Sequence, residues 1–339
     1  MKKRLKMKDK TIKDVAKKAG VSISTVSRVL NGYGNVNKET NELVRKAVEE
    51  VGYSPNAIAR SLRSRSTKTI GLIVNNILNP IYSLMAQAIE DTAREYGYQL
   101  LLCNSGANSE YEKVYLDGLY EKKVDGIIIA PTGQNKEKIN SFIKSGIPVI
   151  QVDRVIEGLV ADAVVTNNRS AAYEMVSRII ENGYKKIALI VGVQTITTGM
   201  ERMTGYFSAL AENNINANSE YIKVGHFDEN TGFDAMNELL SLPNPPEAVF
   251  VCNNLMAKGA MMAVRENNIS IPSQLSFCMF DDPDWAAMNV PSITAVKQPT
   301  YEIGTKAAKL LINRVNNQNK EQKPVHEVID SKIIIRDSM

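Results

Sequence analysis

The sequence is poor in the residues from which metal and redox sites are built. Its 339 residues include three cysteines, two histidines and one tryptophan. The cysteines Cys103, Cys252 and Cys278 are scattered through apolar stretches without paired or metal-ligand spacing, which predicts buried, reduced thiols. Phosphate-loop, dinucleotide-binding, serine-hydrolase and zinc-protease motifs are absent as well. We therefore expect no enzyme, no catalytic residue, no metal site and no cofactor.

The chain also lacks a hydrophobic run of membrane-spanning length. Its first ten residues are basic, but no apolar segment follows them, so we expect no export signal and a cytoplasmic protein. Hydrophobic residues make up 44% and charged residues 23% of the composition, as in soluble globular proteins. At this length the chain can hold a small first domain and a larger two-lobed core.

Charge is distributed unevenly along the chain. Residues 1–65 contain 16 of the 41 basic and 6 of the 37 acidic residues, which leaves 25 basic and 31 acidic residues for the remainder. A basic segment joined to an acidic remainder indicates a polyanionic partner for the first segment only.

Residues 11–31, TIKDVAKKAGVSISTVSRVLN, have the pattern of two short amphipathic helices joined by a tight turn. Thr11 and Asp14 form a capping-box pattern, Gly20 is placed to end the first helix, and Ser22 is placed to cap the second. This is the helix-turn-helix layout, whose second helix enters the DNA major groove. Spacing alone does not separate it from an ordinary helical hairpin with a basic face.

Two further segments follow this motif. Residues 38–51 predict a third helix, which ends at Gly52. The segment 56–63 has room for two helical turns, a length that is unstable in isolation, so a plain flexible linker is the alternative interpretation.

From Thr69 onward, short apolar runs alternate with amphipathic helical patterns, which predicts a doubly wound α/β fold of parallel strands buried on both faces. The repeated units exceed what one sheet carries comfortably, so two similar lobes are favoured. The predicted strands are 69–74, 98–103, 126–130, 148–152, 186–191, 247–252 and 275–280.

The run A-x-x-A-G-V-S-x-x-T-V-S-R-V-L-N, residues 16–31, resembles the opening of the lactose-repressor (LacI) family of bacterial transcription factors. The resemblance covers essentially the whole chain. It implies a helix-turn-helix DNA-binding domain at 1–52, a hinge at 53–67 and a periplasmic-binding-protein-like effector and dimerisation core at 68–339. In such a core the chain crosses between lobes three times, with lobe one at 68–165 and 297–324 and lobe two at 166–296 and 325–339.

The same resemblance implies how DNA is bound. The pattern P-N-x-x-A-R-x-L begins at Pro55 and matches a hinge helix that orders on operator DNA, pairs with its dimer mate and wedges a leucine into the minor groove. In the second helix of the motif, we expect Ile23, Ser24 and Arg28 to face base edges while the neighbouring polar residues contact phosphates. The predicted DNA-binding residues are Ser22, Ile23, Ser24, Thr25, Ser27, Arg28, Asn31, Asn56, Ala59, Arg60 and Leu62.

Candidate effector-binding residues follow the predicted strands, because doubly wound sheets bind ligands beyond the carboxyl ends of their strands. Each such residue taken alone is more often a cap or a turn residue. The family resemblance implies that they share one cleft, with Arg202 binding sugar hydroxyls or carboxylates and Phe227 stacking on a sugar ring. The predicted set is Asn79, Tyr82, Asp153, Arg154, Arg202, Phe227, Asn254, Asp281 and Gln298.

One departure from the family pattern bears on the ligand. The family usually has N-D-x-M-A-x-G where this chain has NNLMAKG at 253–259, so Asn254 replaces an aspartate. Together with Arg154 and Arg202, this loss of a negative charge favours an anionic effector, and we hypothesise a sugar acid.

The pair Asp281-Asp282 resembles a metal site or an acid–base dyad, but one ligand-facing aspartate beside a structural neighbour is the simpler interpretation. Trp285 is expected either to pack or to lie beside the cleft.

The sequence thus predicts a homodimeric repressor of a carbohydrate or sugar-acid catabolic operon, which binds pseudo-palindromic operator DNA and is switched by a small effector. Whether the effector induces or corepresses stays open. No C-terminal heptads follow the strand-like segment 331–337, so we expect a dimer. The alternatives are a catabolite-control regulator modulated by a phosphocarrier protein and a sugar-binding protein that does not read DNA.

Overall fold

A computed structural model describes residues 10–31, 36–53, 66–317 and 323–339. The chain divides into two compact units, residues 1–67 and 68–339. Within the described ranges, no helix is long and apolar enough to cross a bilayer.

The described residues of the first unit form three helices, α1 (Ile12–Ala19), α2 (Ile23–Asn31) and α3 (Lys38–Val51). The backbone N–H of Thr11 donates to Oδ2 of Asp14 at 2.8 Å, and Gly20 ends α1 in the left-handed conformation at φ +66°. The side chains of one face of each helix form a small core, in which Val15, Val26 and Val44 are fully buried. The predicted helix-turn-helix pattern and the third helix are therefore present.

The first lobe of the second unit is a six-stranded, wholly parallel sheet covered by helices on both faces. Its strands are β1 (Thr69–Val74), β2 (Gln99–Asn104), β3 (Gly126–Ile129), β4 (Val149–Val152), β5 (Asp162–Thr166) and β11 (His326–Ile329), and the helices are α4 (Pro80–Glu95), α5 (Ser109–Glu121), α6 (Lys136–Lys144) and α12 (Thr300–Asn316). In the sheet the strands lie in the order β11-β5-β4-β3-β1-β2.

The second lobe repeats this architecture. Its strands are β6 (Ile187–Gly192), β7 (Ile222–Gly225), β8 (Ala248–Val251), β9 (Ser276–Phe280), β10 (Thr294–Lys297) and β12 (Lys332–Ile334). They lie in the order β12-β10-β9-β8-β6-β7, and only β12 is antiparallel to its neighbour. Its helices are α7 (Asn168–Glu181), α8 (Thr197–Glu212), α9 (Glu229–Leu240), α10 (Asn254–Glu266) and α11 (Asp284–Met288).

All seven apolar runs predicted as strands form strands, within one or two residues at their ends. Four strands were missed, β5, β7, β10 and β11, whereas β12 lies within the segment 331–337 that the sequence marks as strand-like. All four lie at the edge of a sheet or next to an edge strand, and the edge strands β7 and β11 are partly exposed. Their sequences therefore lack the continuous apolar run that a strand buried on both faces shows.

The chain passes between the lobes after β5, after β10 and after β11. The last crossing differs from the predicted boundary at 324/325. His326–Ile329 pairs in parallel with Ala163–Thr166 and so belongs to the first sheet, which moves the crossing to 330–331. A short, half-exposed edge strand carries too little apolar signal to reveal which sheet it joins.

Candidate functional site

The loops that follow the strands of both lobes meet in a narrow cleft. The cavity left between them has a volume of about 20 Å³, room for about one water. Eight of the nine predicted effector residues line this cavity, and Ile81, Thr198 and Asn253 line it in addition. The full lining is Asn79, Ile81, Tyr82, Asp153, Arg154, Thr198, Arg202, Phe227, Asn253, Asp281 and Gln298.

Asn254, the ninth predicted residue, does not line the cavity. It is buried behind Asn79 and Asp281, with its amide engaged by other protein groups. Asn253 lines the cavity in its place and also caps α10, because its side-chain oxygen accepts from the backbone N–H of Leu255 at 2.9 Å. The sequence shows that an asparagine pair follows β8. It does not show which of the two asparagines faces the cavity.

On the first lobe, Tyr82, Asp153 and Arg154 form a closed cluster. The Tyr82 hydroxyl donates to Oδ2 of Asp153 at 2.8 Å, and Nε of Arg154 donates to the same oxygen at 3.0 Å. Nη2 of Arg154 donates to the Tyr82 hydroxyl oxygen at 3.2 Å. Burial raises the pKa of Tyr82, which keeps the phenol neutral. The charge of Asp153 is thus matched to that of Arg154.

On the second lobe, Arg202 is held in a fixed orientation. Nε donates to Oδ1 of Asn168 at 2.9 Å, Nη1 donates to the carbonyl oxygen of Cys252 at 2.7 Å, and the guanidinium carbon lies 3.6 Å from the centre of the Phe280 ring. These contacts orient the guanidinium along an aromatic face, the geometry of a cation–π interaction. Arg202 is 3% exposed, so its charge acts in a largely desolvated setting.

Asp281 lies beside Arg202 and is also fully engaged. Its Oδ1 accepts from Nε2 of Gln298 at 2.7 Å and its Oδ2 accepts from the backbone N–H of Asn254 at 3.1 Å. Burial raises the pKa of Asp281, and the nearby charge of Arg202 offsets that rise only in part.

The two aspartates of the predicted carboxylate pair have different environments. The carboxylate of Asp282 forms an ion pair with Arg336 at 2.7 Å and lies 3.6 Å from the ammonium of Lys297. It is thereby bound to the end of β10 and to the segment that follows β12, whereas Asp281 faces the cleft. Across the described residues, no group of three or more His, Cys, Asp or Glu side chains has the arrangement of a metal site.

Three cleft residues share an unusual backbone conformation. Asp153, Phe227 and Asp281 each follow a strand and have φ of +64°, +62° and +79°. For a residue with a side chain this region costs about 1–2 kcal/mol, and such strain concentrates at binding sites. A Cβ added at Gly192 would lie 1.9 Å from Cζ of Phe227, so only glycine at this position leaves room for the ring. Periodicity in the sequence carries no signal of these backbone angles.

Among the described residues, one cation–π contact and two hydrogen bonds join the lobes at the cleft. The guanidinium carbon of Arg154 lies 5.3 Å from the centre of the Phe227 ring, and the backbone N–H of Val155 donates to the hydroxyl of Thr197 at 3.2 Å. The third contact is a hydrogen bond from Nδ2 of Asn254 to Oδ1 of Asn79 at 3.4 Å. Separation of the lobes requires all three to break.

In the first unit, the polar face of α2 is available for contact. Ser22, Ile23, Ser24 and Arg28 are exposed, Ile23 to 43%, whereas Thr25 and Ser27 are half-buried. The Ser22 hydroxyl accepts from the backbone N–H of Thr25 at 3.1 Å and so caps α2. The side chain of Asn31 and the predicted hinge residues Asn56, Ala59, Arg60 and Leu62 lie outside the described residues.

Comparison with known proteins matches both units. Residues 11–56 match the family described as bacterial regulatory proteins, lacI family, and residues 67–334 match the family of periplasmic binding proteins and the sugar-binding domain of the LacI family. The transcriptional repressor PurR of Histophilus somni (strain 2336) is 35% identical over 332 residues, which cover 97% of this chain and 98% of the repressor.

Solved structures agree in fold and in extent. A complex of the transcriptional regulator CelR with cellobiose is 28% identical, with a TM-score of 0.74 over 97% of this chain and 100% of that chain. A lac repressor bound to ONPG in the repressed state is 25% identical, with a TM-score of 0.85 over 98% of this chain and 100% of that chain.

Proposed function

The chain belongs to the LacI family of bacterial regulatory proteins, and on this premise we propose that it is a homodimeric transcriptional repressor of a carbohydrate or sugar-acid catabolic operon. Its activity is binding rather than catalysis, and its site of action is the DNA of the bacterial cytoplasm. The observation that carries the proposal is the pairing of an exposed α2 face with a cleft that presents both hydrogen-bond donors and acceptors.

The DNA-binding role rests on the polar face of α2. Ile23, Ser24 and Arg28 are the exposed side chains proposed to reach base edges, and Ser22, Thr25, Ser27 and Asn31 are proposed to orient the helix on phosphates. Two copies of the motif in a dimer require two half-sites related by two-fold symmetry, hence a pseudo-palindromic operator. The hinge residues Asn56, Ala59, Arg60 and Leu62 are proposed to contact the minor groove between the half-sites.

The effector role rests on the cleft. Its aromatic ring, two guanidinium groups and several amide and carboxyl groups suit a small polyhydroxylated ligand, which needs many hydrogen bonds and one apolar wall. A sugar acid is the first candidate, because a guanidinium binds a carboxylate with two parallel hydrogen bonds. Asp153 and Asp281 face the two arginines, however, so a neutral sugar is compatible with the same cleft.

The switch follows from linkage between the cleft and the DNA-binding domains. An effector that prefers one arrangement of the lobes changes the population of that arrangement, and therefore the spacing of the two DNA-binding domains of a dimer. Since an operator has a fixed half-site spacing, its affinity changes with that population.

Two measurements on the full-length protein test these proposals separately. Selection from a random DNA pool should yield a pseudo-palindromic site bound more tightly than scrambled DNA by about a thousand-fold or more, as is typical of specific binding. Protein that binds selected and scrambled DNA equally would refute the repressor role. Calorimetric titration with hexonates, uronates and keto-deoxy sugar acids, and with the matching neutral sugars, then identifies the effector class. Tight binding of a neutral sugar without any binding of sugar acids would exclude an acidic effector.

A further inference from the structure

Asn254 is buried between the two lobes and uses each of its polar groups. Its backbone N–H donates to Oδ2 of Asp281 at 3.1 Å and its side-chain Oδ1 accepts from the indole N–H of Trp285 at 2.9 Å. Its Nδ2 donates to Oδ1 of Asn79 in the other lobe at 3.4 Å. Asn79 and Asn254 are 5% and 3% exposed, so water does not compete freely for these groups.

The orientation of the Asn254 amide is dictated by its partners. An indole N–H only donates, so the group that faces Trp285 must be the oxygen of Asn254. The NH₂ group then faces Asn79. The Asn79 oxygen is itself held as an acceptor, because it caps α4 by accepting from the backbone N–H of Ile81 at 3.3 Å.

We propose that the hydrogen-bond chain Trp285–Asn254–Asn79 holds the two lobes in their closed arrangement, with Trp285 as a positioning residue that acts through Asn254. This hydrogen-bond chain needs an amide at position 254. A carboxylate there still accepts from Trp285, but it presents a second acceptor to the Asn79 oxygen, and two acceptors repel. This requirement accounts for the asparagine that replaces the usual aspartate more directly than a charge effect on the effector, because the side chain of Asn254 does not line the cavity.

The same hydrogen-bond chain also reaches the ligand-facing side of the cleft. Asn254 contacts Asp281 through its backbone and Trp285 through its side chain, so it holds the loop after β9 and the start of α11 against the start of α10. A ligand that moves Asp281 therefore also disturbs the contact with Asn79. The inference that this hydrogen-bond chain regulates the response to effector rests on the proposed function. The inference that it holds the two lobes together does not.

Isosteric variants test the chain in the full-length protein without effector or DNA. Asn254→Asp removes the donor that faces Asn79, and hydrogen exchange should become about five- to ten-fold faster in segments 77–84 and 253–257, as the loss of one buried hydrogen bond predicts. Asn79→Asp is the matched control, because its carboxylate accepts from both Ile81 and Asn254, so exchange in these segments should be no faster than in the parent.

Trp285→Phe keeps an aromatic ring but removes the N–H that orients the amide. Faster exchange in segment 77–84, which lies in the opposite lobe, is expected from a positioning role and not from a packing role confined to the second lobe. This variant also serves if Asn254→Asp does not fold. Equal exchange in Asn254→Asp and Asn79→Asp, or unchanged exchange at 77–84 in Trp285→Phe, would overturn the proposal. Either result leaves the repressor function to be decided by operator binding.

Discussion

The guanidinium carbon of Arg154 lies 5.3 Å from the centre of the Phe227 ring, which places a charged side chain of one lobe against an aromatic ring of the other. Arg154 is also bound to Asp153 and Tyr82, so its position is fixed from its own lobe. The left-handed backbone of Phe227 directs its ring, and the absence of a side chain at Gly192 leaves room for that ring. A cation–π contact contributes about 0.5–1 kcal/mol when exposed and about 2 kcal/mol or more when desolvated. Because Phe227 is only partly buried, a ligand that enters between the two groups has a modest contact to replace.

Backbone strain at Phe227 predicts an inverted order of stability for two truncations. Phe227→Ala and Phe227→Gly remove the same ring, but alanine retains the penalty of φ +62° and glycine does not. We expect Phe227→Gly to be more stable than Phe227→Ala by about 1 kcal/mol, although glycine is ordinarily the less stable of the two. Urea unfolding of both proteins measures the difference. A more stable alanine variant would show that this position carries no strain.

The carboxyl group of Asp281 predicts a pH-dependent contribution to stability. Since burial raises its pKa above the ordinary value of 3.8, the folded protein binds this proton more tightly than the unfolded chain. The stabilisation is complete below pH 3.8 and is lost as the pH rises through the raised pKa. Asp281→Asn has no proton to lose, so the free energy of unfolding of the parent should fall relative to that of the variant over a range of pH above 3.8. Paired urea titrations across this range test the sign, and a parent that gains stability on the variant would contradict it.

Arg28 is expected to carry base discrimination. A bidentate contact from arginine to a guanine is worth about 1–3 kcal/mol, so Arg28→Ala should lower the ratio of operator to scrambled-DNA affinity by about ten- to a hundred-fold. Lys46, an exposed residue of α3, provides the control: Lys46→Ala should leave that ratio unchanged even if overall affinity falls. Fluorescence anisotropy at several salt concentrations separates the two effects. An unchanged ratio in Arg28→Ala would assign this side chain to phosphate contact alone.

The short apolar runs predicted seven strands, six interior ones and the edge strand β2. The positions that follow strands, together with the family resemblance, predicted eight of the residues that line the cavity. The remaining features depend on partners far away in the chain. Asn79 and Asn254 are 175 residues apart, so the sequence shows the substitution at 254 but not the oxygen that the new amide contacts. Likewise, β11 is assigned to the first sheet only by its pairing with β5, about 160 residues earlier. The left-handed angles of Asp153 and Asp281 arise where strands end in the cleft and leave no compositional trace.

Arg314 and Asp162 form an ion pair in the first lobe, close to where the chain crosses between the lobes for the third time. Breaking this pair tests what holds the lobe together there. Nε and Nη2 of Arg314 donate to the two Asp162 oxygens at 2.8 and 2.7 Å, and the side chains are 11% and 8% exposed. Asp162 also accepts from the backbone N–H of Val325 at 2.7 Å, so one carboxylate connects α12 and β5 to the segment that leads into β11.

Arg314→Ala leaves this carboxylate buried without its counter-charge, and we expect a loss of about 3–5 kcal/mol in the free energy of unfolding. Arg314→Lys keeps the charge but not the paired hydrogen bonds, so its loss should be intermediate. The control is Arg178→Ala, which breaks an ion pair with Glu174 whose side chains are 48% and 54% exposed and should cost less than about 1 kcal/mol. Guanidinium unfolding measures all three. Equal losses in Arg314→Ala and Arg178→Ala would mean that the buried pair contributes no more than a surface pair. In that case the pairing of β11 with β5 would by itself hold this edge of the first lobe together.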